Sequence, residues 1–273
     1  MATADARGST SSVNLQLAKT RRRLSAEQQI QIARQLDFHE GAPFLDVVGL
    51  NRPIPLVVGR DVMRPMSSKV LAEWLWVNSA VLRDRTVFDV GTGCGVQAIV
   101  SALAGARKVV AGDVSPAAMS CATENVRRLE MGDSVWIRDS DVLSGFPHED
   151  LADVIIFAQP FFGDDPIPER PVSSGMLDPG ILVPRFLSDA KALLKPDGFL
   201  LMMAWSFAGI TNDPRTHCQN AGYTCESVGG ERISGGCQQG SIEILALQPV
   251  GAKKRLPLVD GGTAGGPWRA SER

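Results

Sequence analysis

"VFDVGTGCGVQAI", Val87 to Ile99, is the stretch on which the fold turns. Val87, Phe88 and Val90 surround a single aspartate and read, with Thr86 before them, as a buried strand. Gly91, Gly93 and Gly95 follow at alternate positions. Glycine enters backbone conformations closed to other residues, so this is a sharp turn whose backbone can lie directly against a ligand. Val96, Ile99, Val100 and Leu103 then recur at the i, i+3, i+4, i+7 spacing of one helix face. Strand, glycine turn, helix is the opening unit of a parallel α/β sheet, and such sheets bind ligands at the carboxyl ends of their strands.

The same rhythm continues on both sides. "KVVAGD", ending at Asp113, is the second strand, and Ser115-Pro116 supplies an N-cap and a first-turn proline for the next helix. Met119, Ala122, Val126 and Leu129 line the inner face of that helix, with Gly132 placed to end it. "SVWIRD" and "DVIIF" are the third and fourth strands. Phe186, Leu187, Ala190, Leu193 and Leu194 mark a helix, "LKPDG" the turn after it, and "FLLMMAW" the fifth strand. A further helix is expected within Phe207 to Asn220, and "YTCESV" and "SIEILAL" form a closing hairpin. The sequence therefore predicts an α/β fold: a Rossmann-like, doubly wound, seven-stranded, mostly parallel sheet with an antiparallel edge hairpin. Upstream, Ser25 and Gln28 have capping-box spacing, and Ile32, Ala33 and Leu36 share a face. Ile54 to Val58 is a short strand, and Ser67 or Ser68 caps a helix that buries Val70, Leu71, Trp74 and Leu75. The expected organisation is a disordered tail at 1–20, an N-terminal helical cap at 21–80, the α/β domain at 81–250 and a flexible tail at 251–273.

Composition narrows the function. A net charge of −2 gives no global attraction to nucleic acid or anionic membranes. The 5 cysteines are odd in number, scattered and without C-x-x-C, which fits reduced thiols in a cytoplasm and argues against a disulfide framework or a zinc site. "TRRRLS" at 20–25 resembles a twin-arginine export signal, but polar "AEQQIQIARQ" follows where an apolar stretch is required. No uncharged apolar run reaches the length of a membrane span. The basic cluster Lys19 to Arg23 reads as a solvated charge run, with an RNA-touching arm as the alternative. A protein of these proportions is expected in the cytoplasm, without a metal.

Two cofactors compete for the glycine turn. Asp113 stands 22 residues after Gly91, placed to accept the hydroxyls of a ribose. A dinucleotide site wants G-x-G-x-x-G for its pyrophosphate, but the sixth position here is Val96, and Asp89 is an unwelcome charge beside a phosphate. That disfavours a nicotinamide oxidoreductase. S-adenosylmethionine carries a sulfonium and an ammonium, which tolerate a nearby carboxylate.

At this point the chain resembles a known family. "VFDVGTGCGVQAI" is similar to the D-x-G-x-G-x-G motif of class I S-adenosylmethionine-dependent methyltransferases. The resemblance runs on through "VVAGDVSPAAMSCATENVRRL", Asp141-Val142, "ADVIIFAQPFFG" and "LLKPDGFLLM", over roughly residues 64 to 248. It implies S-adenosyl-L-methionine as cofactor, held by Asp89, Gly91, Thr92, Gly93, Gly95, Asp113, Val114, Asp141, Val142 and Ala158, with Ser68 at the methionine end.

The resemblance also gives the fourth strand's end a task. In the branch that methylates amino or amide nitrogen, the HemK-like and small-domain enzymes, Asn-Pro-Pro-Tyr stands there and holds the acceptor. This chain reads Ala158-Gln159-Pro160-Phe161. Pro160 and Phe161 match, while Ala158 has no hydrogen-bonding side chain. On this reading Gln159, Phe161 and His39 carry catalysis, and Pro160, Phe161, Phe162 and Trp205 line the acceptor pocket. The missing asparagine with the retained aromatics, the lack of a basic run in the core domain and the lack of a macromolecule-binding module predict a small-molecule acceptor, a planar specialised metabolite methylated on oxygen, nitrogen or carbon by in-line displacement. The alternatives are an N-methyltransferase acting on a protein or RNA, and a non-catalytic S-adenosylmethionine-binding protein.

Overall fold

The computed structural model describes residues 24–39, 44–49, 53–233 and 240–252. The N-terminal tail, the basic cluster Lys19 to Arg23 and the C-terminal tail beyond 252 lie outside these residues. Helix α1 (Ala26–His39) starts on a reciprocal capping box: Gln28 N donates to Ser25 Oγ at 3.1 Å, and Ser25 N donates to Gln28 Oε1 at 2.9 Å. It buries Ile32 and Leu36, while Ala33, expected on the same face, is exposed. β1 (Phe44–Gly49) and β2 (Pro53–Val58) form an antiparallel two-stranded ribbon. Each strand of such a ribbon has an open edge, so Pro53 and Pro55 lose no ladder bond that matters. α2 (Ser68–Val77) buries Leu71, Ala72, Trp74 and Leu75. No serine side chain caps it. Ser67 is already helical, and Lys69 N and Val70 N donate to Pro65 O and Ser67 O of the preceding turn.

The glycine-turn unit follows as β3 (Thr86–Val90) and α3 (Val96–Leu103), then β4 (Lys108–Asp113), α4 (Pro116–Arg128), β5 (Val135–Asp139) and β6 (Ala152–Phe157). α5 (Leu182–Leu193), β7 (Leu194–Trp205), β8 (Tyr223–Ile233) and β9 (Gly240–Pro249) complete the order. The sheet runs β5-β4-β3-β6-β7-β9-β8, with β9 antiparallel to both neighbours. The antiparallel strand is thus the one inside the edge, and β8 is the edge itself. β3 sits centrally, so the glycine turn opens above the middle of the sheet.

Three local expectations are corrected. α4 ends at Arg128, where Glu130 takes the left-handed conformation (φ 57°) before Gly132 is reached. "LKPDG" is an outward fold within β7: β6 pairs through Ala152 with Leu194 and next through Val154 with Phe199, so the chain bulges between these two contacts. The segment Phe207 to Asn220 holds no α-helix, only a 3₁₀ turn at Pro214–Thr216 started by the Asp213 carboxylate on Arg215 N. Gly209 and Pro214 interrupt any longer helix there.

Alternation along the strands builds two apolar layers. Phe88, Val110, Ile155 and Phe157 face α5, while Val87, Val109, Val154 and Ile156 face α3 and the N-terminal segment. Ile32, Leu36, Ile54, Leu56, Val58, Leu71 and Leu75 belong to that second layer. The expected helical cap is a helix, a ribbon and a helix spread over one sheet face.

Candidate cofactor and acceptor site

The glycines of the turn have positive φ: 66° at Gly91, 57° at Gly93 and 87° at Gly95. The left-handed region costs any other L-residue roughly 1–2 kcal/mol, which explains the alternating glycines. Thr92 N donates to Gly112 O at 3.0 Å, pinning the loop to β4. Asp113 closes the cradle. Its Oδ2 accepts from Gly93 N and its Oδ1 from Ser115 N, both at 2.9 Å, so one carboxylate fixes the loop against the N-terminus of α4.

Asp89 lies beneath this cradle and does not line the cavity, a correction to its reading as a cofactor ligand. It is 1 % exposed, and Thr92 Oγ1 donates to its Oδ2 at 2.6 Å. Burial pushes its carboxyl up to about 7 against the opposing effect of the Thr92 and Ala98 hydrogen bonds. Gly95 likewise leaves the cavity wall and caps α3, with Ala122 of α4 close behind it.

Above the strand ends lies a cavity of about 250 Å³. Gly91, Thr92 and Gly93 form one wall; Asp113 and Val114 continue it; Ser140, Asp141 and Val142 close that end. Val142 has φ 55°, an uncommon strain for a β-branched residue and one that concentrates at functional sites. Ser140 holds this bend, its Oγ donating to Val142 O and accepting from Gly145 N, both at 2.9 Å. Arg185 Nη1 donates to Asp141 Oδ2 at 2.8 Å at the rim.

Opposite, Ala158, Pro160 and Phe161 line the cavity at the end of β6. Gln159 lies in the same wall, but its carboxamide is engaged elsewhere. Its side-chain Nε2 donates to Met203 O and to Asn212 O, and Met203 N donates weakly back to its Oε1. The amide is taken up by β7 and the 212 turn, which corrects its assignment as a catalytic group. Phe161 meets Trp205 edge-on at 5.6 Å. Phe162 and Trp205 do not line the cavity: the bond from Phe162 N to Met176 O turns its ring into the core, edge-on to Trp205 at 5.3 Å. They back Phe161 rather than reach an acceptor. His39 closes α1, and its side chain lies outside the described ones.

Ser68 lines the cavity, together with Arg64, Pro65 and Ser67 of the same segment and with Asp61 to Met63, which motif reading passed over. Asp61 to Pro65 form one side, and the turn at 171–175 forms part of the roof, Gly175 resting on Met63. α1 braces this roof through an ion pair of 2.8 Å between Asp37 and Arg170. Gln97 also lines the cavity; its Nε2 donates to Ser68 O at 2.7 Å, and its buried Oε1 has no hydrogen-bond partner. Asp61 to Met63 and Gln97 carry no periodic or motif signal, so only the fold brings them to this wall. Among the described residues no His, Cys, Asp and Glu group is arranged to hold a metal ion, and no helix is long and apolar enough to cross a membrane.

Comparison with known proteins supports the same core. Residues 73–159 match the family described as ribosomal protein L11 methyltransferase (PrmA). A release factor glutamine methyltransferase from Rhodopirellula baltica is 29 % identical over 203 residues, covering 67 % of this chain and 68 % of the relative. A ribosomal protein L11 methyltransferase from Heliobacterium modesticaldum is 38 % identical over 120 residues, 41 % of this chain and 36 % of the relative. The chain thus spans about a third of that relative's length. Among solved structures, a SAM-dependent methyltransferase from Agrobacterium tumefaciens shares the fold, with a TM-score of 0.53, 18 % identity, and 77 % and 70 % of the two chains covered. The chain is a class I S-adenosylmethionine-dependent methyltransferase, with S-adenosylmethionine as cofactor. The expected small-molecule acceptor and a role in specialised metabolism are overturned: the relatives are named for protein substrates. A single side chain presented by a protein needs no more room than a small metabolite, so neither the lack of a basic run nor the lack of a binding module separates the two kinds of acceptor.

Proposed function

We propose that this enzyme methylates nitrogen on a protein, and that the acceptor side chain enters between Ala158–Phe161 and the 171–175 turn. The observation that carries this reading is the chemistry of the β6 end. Ala158 has no polar side chain, the Gln159 amide is held by β7, and Pro160 has no N–H. That wall has backbone carbonyl oxygens to offer, which accept from N–H groups and orient a nitrogen lone pair. The names of the relatives point the same way.

When bound, S-adenosylmethionine supplies an electrophilic methyl on a sulfonium. The protein's part is position and desolvation. Asp113 and Val114 hold the ribose, Asp141 and Val142 the adenine, and Gly91 to Gly93 the chain that leads to the sulfur. Pro160 and Phe161 exclude water beside the acceptor nitrogen. The stretch Ala158–Phe161 has no titratable group, so this wall itself takes no proton from the acceptor nitrogen.

The test is transfer of label from methyl-labelled S-adenosylmethionine into an extract of cells lacking this enzyme. Label is expected in a protein band, in N-methyl residues by mass spectrometry of its peptides. Label confined to RNA or to the small-molecule fraction would overturn the reading.

A further inference from the structure

We infer that Gln97 is a ligand of the cofactor's amino-acid end, its Oε1 accepting from the ammonium group. The inference rests on the assignment of S-adenosylmethionine as cofactor. Gln97 is the second residue of α3 and is 2 % exposed. Its orientation follows from chemistry. The Ser68 carbonyl 2.7 Å away only accepts, so the atom facing it is the Nε2 donor, and the free atom is Oε1. That oxygen is buried without a partner. An amide oxygen buried unpaired is destabilising, and native proteins rarely leave one so. A donor arriving with a ligand satisfies it.

The direction of the ligand decides which donor arrives. Asp141 and Val142 lie beyond the end of β5, and Asp113 at the end of β4. β3 is the next strand in the sheet, and its end carries the glycine turn and the first turn of α3. A cofactor with adenine over β5 and ribose at Asp113 therefore brings its remaining chain to the wall made by Gln97, Ser67 and Ser68. That chain ends in an ammonium, which has three N–H donors, and a carboxylate. Arg64 lines the same wall and supplies the opposite charge. The bond through Ser68 O gives Gln97 a second consequence: the residue that reads the ammonium also holds the start of α2.

Calorimetry on the full chain tests this with S-adenosylhomocysteine and its analogue in which hydrogen replaces the amino group. For the unaltered protein, removing the amino group should weaken binding about ten-fold or more, the range of a hydrogen bond to a charged group. For Gln97→Leu, S-adenosylhomocysteine should weaken by a similar factor, while the deaminated analogue binds as it does to the unaltered protein. If Gln97→Leu weakens both ligands equally, the residue acts only through Ser68, and the inference fails. If the unaltered protein does not distinguish the two ligands, it fails without recourse to the variant. Failure of the unaltered protein to bind S-adenosylhomocysteine would instead overturn the cofactor assignment on which the inference rests.

Discussion

At the scale of single residues, the sequence shows which groups are present but not which way they point. Gln159 stands next to the expected contact position, yet its carboxamide serves β7 and the 212 turn. Phe161 and Phe162 are identical in type and adjacent, but only the first reaches the cavity. Asp89 belongs to the most legible motif of the chain and works from below, fixing Thr92 instead of touching a ligand. Its burial has a thermodynamic consequence with a definite sign. The folded-state value of about 7 lies above the ordinary aspartate value, so the native state binds this proton more tightly than the unfolded chain. Stability then falls as pH rises from about 4 to about 7 and is unaffected by this group above that range. Asp89→Asn removes the titration. Urea unfolding of the two proteins across pH 4 to 8 should show the unaltered chain losing stability relative to the variant as pH rises through that window. A difference between them that is independent of pH would show that Asp89 is ionised in the fold throughout.

At the scale of elements, what the sequence states clearly is what short-range physics decides. The capping box at Ser25, the Ser115-Pro116 helix start and the strand–glycine–helix unit all form where their residues place them. β2 is legible as Ile54 to Val58 despite its prolines, which an isolated ribbon tolerates where a central strand does not, while β1 is missed because the short run "FLDVVG" keeps no apolar–polar alternation. The glycine turn shows that one motif can divide its work. A Cβ at Gly93 meets nothing within 4 Å, whereas at Gly95 it comes within 3.3 Å of Ala122. Gly93→Ala should therefore cost stability only the left-handed backbone penalty, about 1–2 kcal/mol, while its methyl group stands in the cofactor's space. Gly95→Ala should destabilise more, by crowding α3 against α4. Thermal unfolding beside S-adenosylhomocysteine titration checks the division: the first variant should lose mainly affinity, the second mainly stability. Equal stability losses would show that both glycines serve packing alone.

At the scale of the whole molecule, the question is whether residues before 81 form a separable cap. The sequence divides the chain there because periodicity changes, but burial does not respect that line. Leu71 and Leu75 of α2 lie in one apolar cluster with Ile99 of α3, Val87 of β3 and Ile156 of β6. Trp74 Nε1 also donates to Val228 O of β8 at 3.1 Å, tying α2 to the far edge of the sheet. A helix that fills the core layer of the sheet cannot leave without exposing that layer, so the cap and sheet should unfold together. Leu75→Ala opens a cavity in this shared layer and should cost about 2–5 kcal/mol. Two reporters separate the possibilities: Trp74 reads α2 and Trp205 the end of β7, each followed in a chain whose other tryptophans are phenylalanine. In urea, both should report one midpoint, and Leu75→Ala should lower both by the same amount. An earlier transition at Trp74 alone, moved by Leu75→Ala while that at Trp205 stays in place, would make residues 24–80 an independent lid over a sheet that stands without it.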